Sequence, residues 1–215
     1  MADIFSEVDE DVRKDRSLEL WAKYGKFVIG GAILIVAATA GFVTWQKYQT
    51  SQAQEMGGAF EAASKLILER KYDEGAAAFA ELSVKADGGY EQLAKLRQAN
   101  ALVAAGKGAD AVAVYDEVAA SDAAAEFKNA ARIFAGYYLI DNGSADEVRD
   151  RVSTLSGEAG VWSANARELL ALADLKEGKK DAALTELKAL AEDAGAPEGV
   201  KSRSSQLVKI LSNGS

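Results

Sequence analysis

The chain has 215 residues, no histidine, no cysteine and a formal charge of −8, from 25 Lys and Arg against 33 Asp and Glu. Those absences exclude thiol nucleophiles, disulfides, Cys/His zinc sites and imidazole bases together. The acidic balance, with no cluster of bases to neutralise phosphates, excludes nucleic acid as a partner.

Residues 1–26 carry seven acids and five bases, which accounts for −2 of the charge and leaves −6 for the rest. Ile4, Val8 and Val12, four residues apart, suggest a short amphipathic helix in this tail. Phe27 to Thr44 then runs for eighteen residues without a charge. A bilayer core of about 30 Å needs roughly 20 apolar residues of α-helix, and Trp45 extends the run. Trp21 and Tyr24 stand before it, Trp45 and Tyr48 after it, as interfacial rings do at a membrane boundary. Residues 27–45 therefore read as a transmembrane helix. Ala38-Thr39-Ala40 has the form of a signal-peptide cleavage site. The long acidic leader and the continuation through Gly41, Phe42 and Val43 favour a retained anchor instead.

Arg13, Lys14, Arg16, Lys23 and Lys26 precede the span, and Lys47 is the one base in the twenty residues after Thr44. The basic side faces the cytoplasm, so residues 1–26 form a cytoplasmic tail and residues 46–215 lie across the membrane, in the periplasm of a Gram-negative cell. Anchor positions singled out are Phe27, Gly30, Gly31, Ala37, Gly41 and Trp45. Ala37 and Gly41 make a small-xxx-small pair, which admits a homo-oligomer through the span.

Beyond Gln46 the chain has one proline, Pro197, and Ala and Leu recur at three- and four-residue spacing, a helical pattern throughout. Breakers cut it near Arg70, Gly88, Gly106, Ser121, Gly143, Gly157, Gly178 and Pro197, and Asp73, Ser144 and Asp181 read as N-caps. The pieces pair, and the pairs repeat. Phe79, Tyr115, Val152 and Leu187 follow one another at 36, 37 and 35 residues, each four after a small or β-branched residue (Gly75, Ala111, Val148, Ala183). Ala63, Ala99, Gly136 and Ala171 recur at the same intervals in the first helices, followed three residues on by Leu66, Leu102, Leu139 and Asp174.

Small/large alternation near this period is the tetratricopeptide signature. Asp174 and the Val148/Val152 unit depart from the consensus, and an ordinary helical bundle would share part of the pattern. The expected fold is all-α: an N-terminal transmembrane helix, then a tetratricopeptide-like solenoid of about four helix pairs. Residues 197–213 close it as a capping helix, with Val200, Leu207, Ile210 and Leu211 apolar and Lys201, Arg203 and Lys209 polar.

Stacked pairs expose a concave surface lined by the first helices. Residues one past the small ones face it: Ser64, Asn100, Tyr137 and Leu172, with Arg97, Phe134 and Tyr138 beside them. An Asn can contact an extended backbone through both amide atoms, and aromatic rings give contact area at low entropy cost. Asn100, Tyr137, Arg97 and Phe134 are the candidate partner-binding residues, although Phe134 and Tyr138 would equally serve as packing between units. Acids read as solvated polar faces. With no convergent carboxylates, calcium loop or Gly-rich phosphate loop, no enzyme activity, metal or cofactor is expected.

The opening DIFSEVDEDVRKDRSLELWAKYGKFVIGGAILIVAATAGFVTWQKYQ, with its Leu20-Trp21-Ala22-Lys23-Tyr24-Gly25 motif, resembles the YfgM-like proteins, ancillary subunits of the bacterial Sec translocon. The segments AKLRQANALVAAGKGADAVAVYDEVA and ARELLALADLKEGKKDAALTELKALAEDAGAP are similar to that family's tetratricopeptide-like domain. The resemblance implies a single-pass inner-membrane protein without catalytic residues. Its partners would be Sec translocon subunits and periplasmic chaperones, and it would assist newly exported chains. A scaffold for another envelope complex, in cell division or outer-membrane assembly, is the alternative the residues leave open.

Overall fold

The computed structural model describes residues 2–157 and 160–213, with side chains from Leu18 onward. The face expected of Ile4, Val8 and Val12 lies outside the described side chains. Among the described residues there are nine helices and no strand. The chain divides into two units, Met1–Glu55 and Met56–Ser215.

The first unit is part of α1 (Ala2–Leu68). Every side chain from Leu18 to Glu55 is exposed except at Gly25. There the Trp21 indole lies against the backbone, 3.2 Å from where a Cβ would be. A helix apolar on all sides has no face for water, and among the described residues this is one helix long and apolar enough to cross a membrane. Phe27 and Trp45 are 67% and 57% exposed, and beyond the adjoining helix backbone nothing lies within 4 Å of a Cβ built at Gly30, Gly31 or Gly41. Thr39 and Thr44 donate their hydroxyls to the carbonyls of Ile35 and Ala40, at 2.8 Å each. That leaves their hydroxyl protons satisfied within the helix, as an apolar surrounding requires.

In the second unit the end of α1 pairs with α2 (Tyr72–Lys85), α3 (Gly88–Ala104) with α4 (Gly108–Ala120), α5 (Ala125–Asn142) with α6 (Ala145–Ser156), and α7 (Ser163–Lys176) with α8 (Lys180–Glu192); α9 (Glu198–Asn213) follows. The repeat positions are the core. Ala63, Ala99, Gly136 and Ala171, Gly75, Ala111, Val148 and Ala183, and Phe79, Tyr115, Val152 and Leu187 are all buried. One cluster joins Ala63, Phe79, Leu82 and Ala94; the next joins Ala99, Ala111, Tyr115 and Ala131; the third joins Ile133, Val148, Val152 and Leu169. Each unites both helices of one pair with the first helix of the next, so burial passes from neighbour to neighbour, as in a solenoid. In the last cluster α9 supplies Leu207, Val208 and Leu211 against Ala171, Ala183 and Leu187. Ile210 does not join them; it is 67% exposed, on the side facing the groove.

Three of the four first helices end alike. Arg70, Gly106 and Gly178 have φ of 62°, 78° and 78°. In each case the next residue's N–H reaches back five residues, Lys71 to Leu66, Lys107 to Leu102 and Lys179 to Asp174. This is the Schellman closure, which favours glycine at the left-handed position. The third pair differs: Gly143 is extended, and Ser144 and Glu147 form a reciprocal capping box. Asp73 and Asp181 are not caps, because this closure makes Lys71 and Lys179 the N-cap residues and shifts the acids into the first turn. Asp73 instead meets Lys107 at 2.9 Å. Asp174, which departs from the apolar residue of the other units, pairs with Arg149 of α6 and lies 4.0 Å from Lys179.

Two stability outcomes follow from this packing. Leu169 is fully buried, so Leu169→Ala should cost about 3 kcal/mol, read from the urea midpoint of the full-length chain in nanodiscs. Arg70→Gly removes a side chain from a left-handed residue and should raise stability by about 1 kcal/mol in the same measurement.

Candidate functional site

The first helices form the floor of a groove, and each contributes the residue after its small one: Ser64, Asn100, Tyr137 and Leu172. Three recesses follow the repeat. The one between α1 and α3 holds about 300 Å³ and is lined by Ser64, Leu68, Arg97 and Asn100. The next, of about 410 Å³, lies between α3 and α5 beside Phe134, Tyr138 and Asp141. The last, of about 600 Å³, is walled by Ile140, Leu172, Leu207 and Ile210 from α5, α7 and α9. Asn100 is shared by the first two recesses, and Tyr137 and Asp141 by the last two, so they form one continuous depression.

The four candidate residues differ in what they leave available. Arg97 is exposed and makes no ion pair or hydrogen bond among the described residues. Asn100 is exposed, but its Oδ1 accepts a hydrogen bond from the buried Tyr115 hydroxyl at 2.5 Å. The two-atom backbone contact expected of Asn100 is therefore reduced to its Nδ2 side. Phe134 serves the groove and the packing at once: its ring centroid lies 6.1 Å from Tyr115 and 6.1 Å, edge-on, from Trp162. Burial pushes the Tyr115 phenol well above its ordinary range.

Tyr137 is part of a network that sequence reasoning missed. Its hydroxyl donates to Glu168 Oε2 at 2.6 Å and accepts from Asn165 Nδ2 and Arg203 Nη2, each at 3.0 Å. Arg203 of α9 meets both Glu168 oxygens, Nε to Oε1 at 2.7 Å and Nη2 to Oε2 at 2.6 Å. The Glu168 side chain is 1% exposed and that of Arg203 49% exposed. Glu168 thus departs from the solvated reading of the acids. The signal was its place four residues after Ala164 and three before Ala171, on the buried stripe of α7. Burial, then the hydrogen bond to Glu168, pushes the Tyr137 phenol up to about 12. Among the described residues no group of three or more acidic side chains is placed to hold a metal ion.

Helix pairs stacked on a fixed interval, with a groove along their first helices, define an α-solenoid of the kind that holds other proteins. The tetratricopeptide repeat-like domain family matches residues 19–183, and the chain belongs to it. That match begins ahead of the apolar run and so takes in Leu20 to Gly25 and the candidate span as well as the repeats. No curated protein and no solved structure matches the chain.

The network makes two outcomes measurable. Arg203→Met strands a carboxylate that is almost wholly buried and should cost about 3 kcal/mol. Glu168→Gln leaves a half-exposed guanidinium that water can solvate, and should cost about 1 kcal/mol; equal losses in urea titration would contradict the asymmetry. The Tyr137 phenol is raised in the folded chain, so its contribution is complete below pH 10 and is lost as pH climbs from 10 towards 12. Absorbance at 295 nm should show late-titrating phenols of which one is lost in Tyr137→Phe, that of Tyr115 remaining, and the variant's stability should fall less steeply over that window.

Proposed function

We propose that this protein is a non-enzymatic, membrane-anchored adaptor of the Sec translocon whose groove holds periplasmic chaperones or emerging exported polypeptides. The observation that carries the reading is a tetratricopeptide-like groove borne on the same chain as an aromatic-flanked apolar helix, within one family match. The charge asymmetry of Arg13, Lys14, Arg16, Lys23 and Lys26 against Lys47 supports a cytoplasmic side for residues 1–26 and a periplasmic one for the groove. The resemblance of the Leu-Trp-x-x-Tyr-Gly segment to YfgM-like proteins supports the translocon as the neighbour.

Tethering carries the mechanism. A groove held at the membrane sees a partner at the channel exit at an effective concentration that can reach about 1 mM, so individually weak contacts suffice. No proton transfer or covalent step is assigned to the groove; its work is to hold and release.

The first test is affinity purification of the full-length protein from mildly solubilised membranes after in vivo crosslinking. Sec channel subunits and periplasmic chaperones should co-purify, and the chaperones should be lost when residues 56–215 are deleted. Recovery of cell-division or outer-membrane assembly proteins without the Sec channel would favour the scaffold alternative. The orientation has its own test: a C-terminal reporter should be cleaved by protease once the outer membrane alone is opened, and resistance until both membranes are broken would reverse the topology.

A further inference from the structure

We infer that the groove takes an extended polypeptide segment bearing a Lys or Arg between two apolar side chains, and that it does not take an acidic tail. The inference rests on the reading above that the groove binds polypeptide, and adds the chemistry of the segment.

The largest recess has a guanidinium in its wall, which at first sight invites a carboxylate. That charge is already met. Arg203 grips both oxygens of Glu168 in a fork, and its Nη2 also donates to Tyr137. Glu168 is 1% exposed, so an incoming carboxylate would either sit beside that buried negative charge or strip it of its partner. The Tyr137 hydroxyl is committed too, donating once and accepting twice. What the recess still offers is apolar: Ile140, Leu172, Leu207 and the largely exposed Ile210. An apolar side chain recovers that area and disturbs no polar contact.

The unmet charge is Asp141. It is exposed, it lines both this recess and the next, and it makes no ion pair or hydrogen bond among the described residues. Lys176, which reaches α5 from α7, donates to the Ile140 carbonyl and not to Asp141. A segment with apolar side chains in both recesses therefore passes a lone carboxylate between them. α5 touches α3 and α7 directly. Packed helices lie about 8–10 Å apart, which is about three residues of extended chain. The fitting pattern is two apolar residues about three positions apart with the cation between. The free Arg97 lies in the recess between α1 and α3, which Asp141 does not line, so any acid on the segment has a separate place there. The −6 carried by the chain from Phe27 on adds a general attraction for a basic partner.

The test uses the full-length chain in zwitterionic nanodiscs, with empty nanodiscs as blank, and fluorescein-labelled 12-residue Gly/Ser peptides read by anisotropy. Each peptide carries two leucines three positions apart with Lys, Gln or Glu between. The Lys peptide should bind about three- to fivefold more tightly than the Gln peptide, and the Glu peptide least, with the ranking collapsing in 0.5 M salt. Asp141→Asn should erase the ranking while keeping Gln-peptide binding, Asp141→Lys should invert it, and Asp141→Glu should keep it. Replacing both leucines by Ser should abolish binding. A Glu peptide that binds as well as the Lys peptide, or a ranking untouched by Asp141→Asn, overturns the inference and leaves the groove as a polypeptide site. Binding of no peptide above the blank overturns the polypeptide reading of the groove itself, and the inference with it.

Discussion

Two helices lie flat against each other only where the side chains between them are small enough to let the axes close to 8–10 Å. In this chain Ala63, Ala99, Gly136 and Ala171 provide that closeness once per pair, and Phe79, Tyr115, Val152 and Leu187 fill the space it creates. Gly136 shows how tight the fit is: a Cβ there would lie 2.8 Å from Leu169 Cδ1 and 3.2 Å from Val152 Cγ1. The third unit compensates for β-branched Val148 and Val152 with the smallest residue opposite them. Because each cluster borrows the first helix of the next pair, the spacing of one pair fixes the position of its neighbour, and the floor of the groove follows.

Polar contacts at the same interval reinforce this register. Asp116 holds Arg151 through two bonds of 2.9 and 2.6 Å, Lys176 reaches the Ile140 carbonyl, and Glu168 holds Arg203, at separations of 35, 36 and 35 residues. Most are half-exposed and individually worth little. The Glu168–Arg203 pair differs because one partner is buried, which makes its geometry costly to break. It also connects two roles, since the same bond that docks the closing helix α9 removes a positive charge from the wall of the largest recess.

The repeat was legible because it rests on size at fixed spacing, and size is written in every residue. Of the sixteen positions picked out by interval, the twelve small and large ones and Leu139 are buried, while Leu66, Leu102 and Asp174 are half-buried. Capping was less legible: Asp73 and Asp181 have the right chemistry, but the Schellman closure of the preceding helix decides which residue becomes the N-cap, and that depends on a backbone angle at Arg70 or Gly178. Glu168 and Arg203 were hidden for a related reason. A carboxylate's burial is decided by a partner 35 residues away on another helix, and local periodicity marks Glu168 only as an exception on its stripe. Ile210 misled because residues one apart on α9 face different ways, Leu211 to the core and Ile210 to the groove.

A groove whose strongest charge is neutralised from within discriminates by shape and by what remains unpaired. Apolar recesses of modest depth accept many side chains, and desolvating them gives affinity without much selectivity. Single exposed charges such as Asp141 and Arg97 shift affinity by small factors, but they act on the encounter and on direction, since a segment laid the wrong way meets like charges. That combination suits the role proposed for the groove, in which it takes hold of varied chains and lets them go. In the proposed adaptor role affinity is supplied by proximity, since one chain carries both the candidate span and the repeats. On this view a stronger groove would be a worse one: buried anchors with long residence times would keep a passing chain from its next partner, so the internal pairing of Arg203 with Glu168 favours turnover as well as fold.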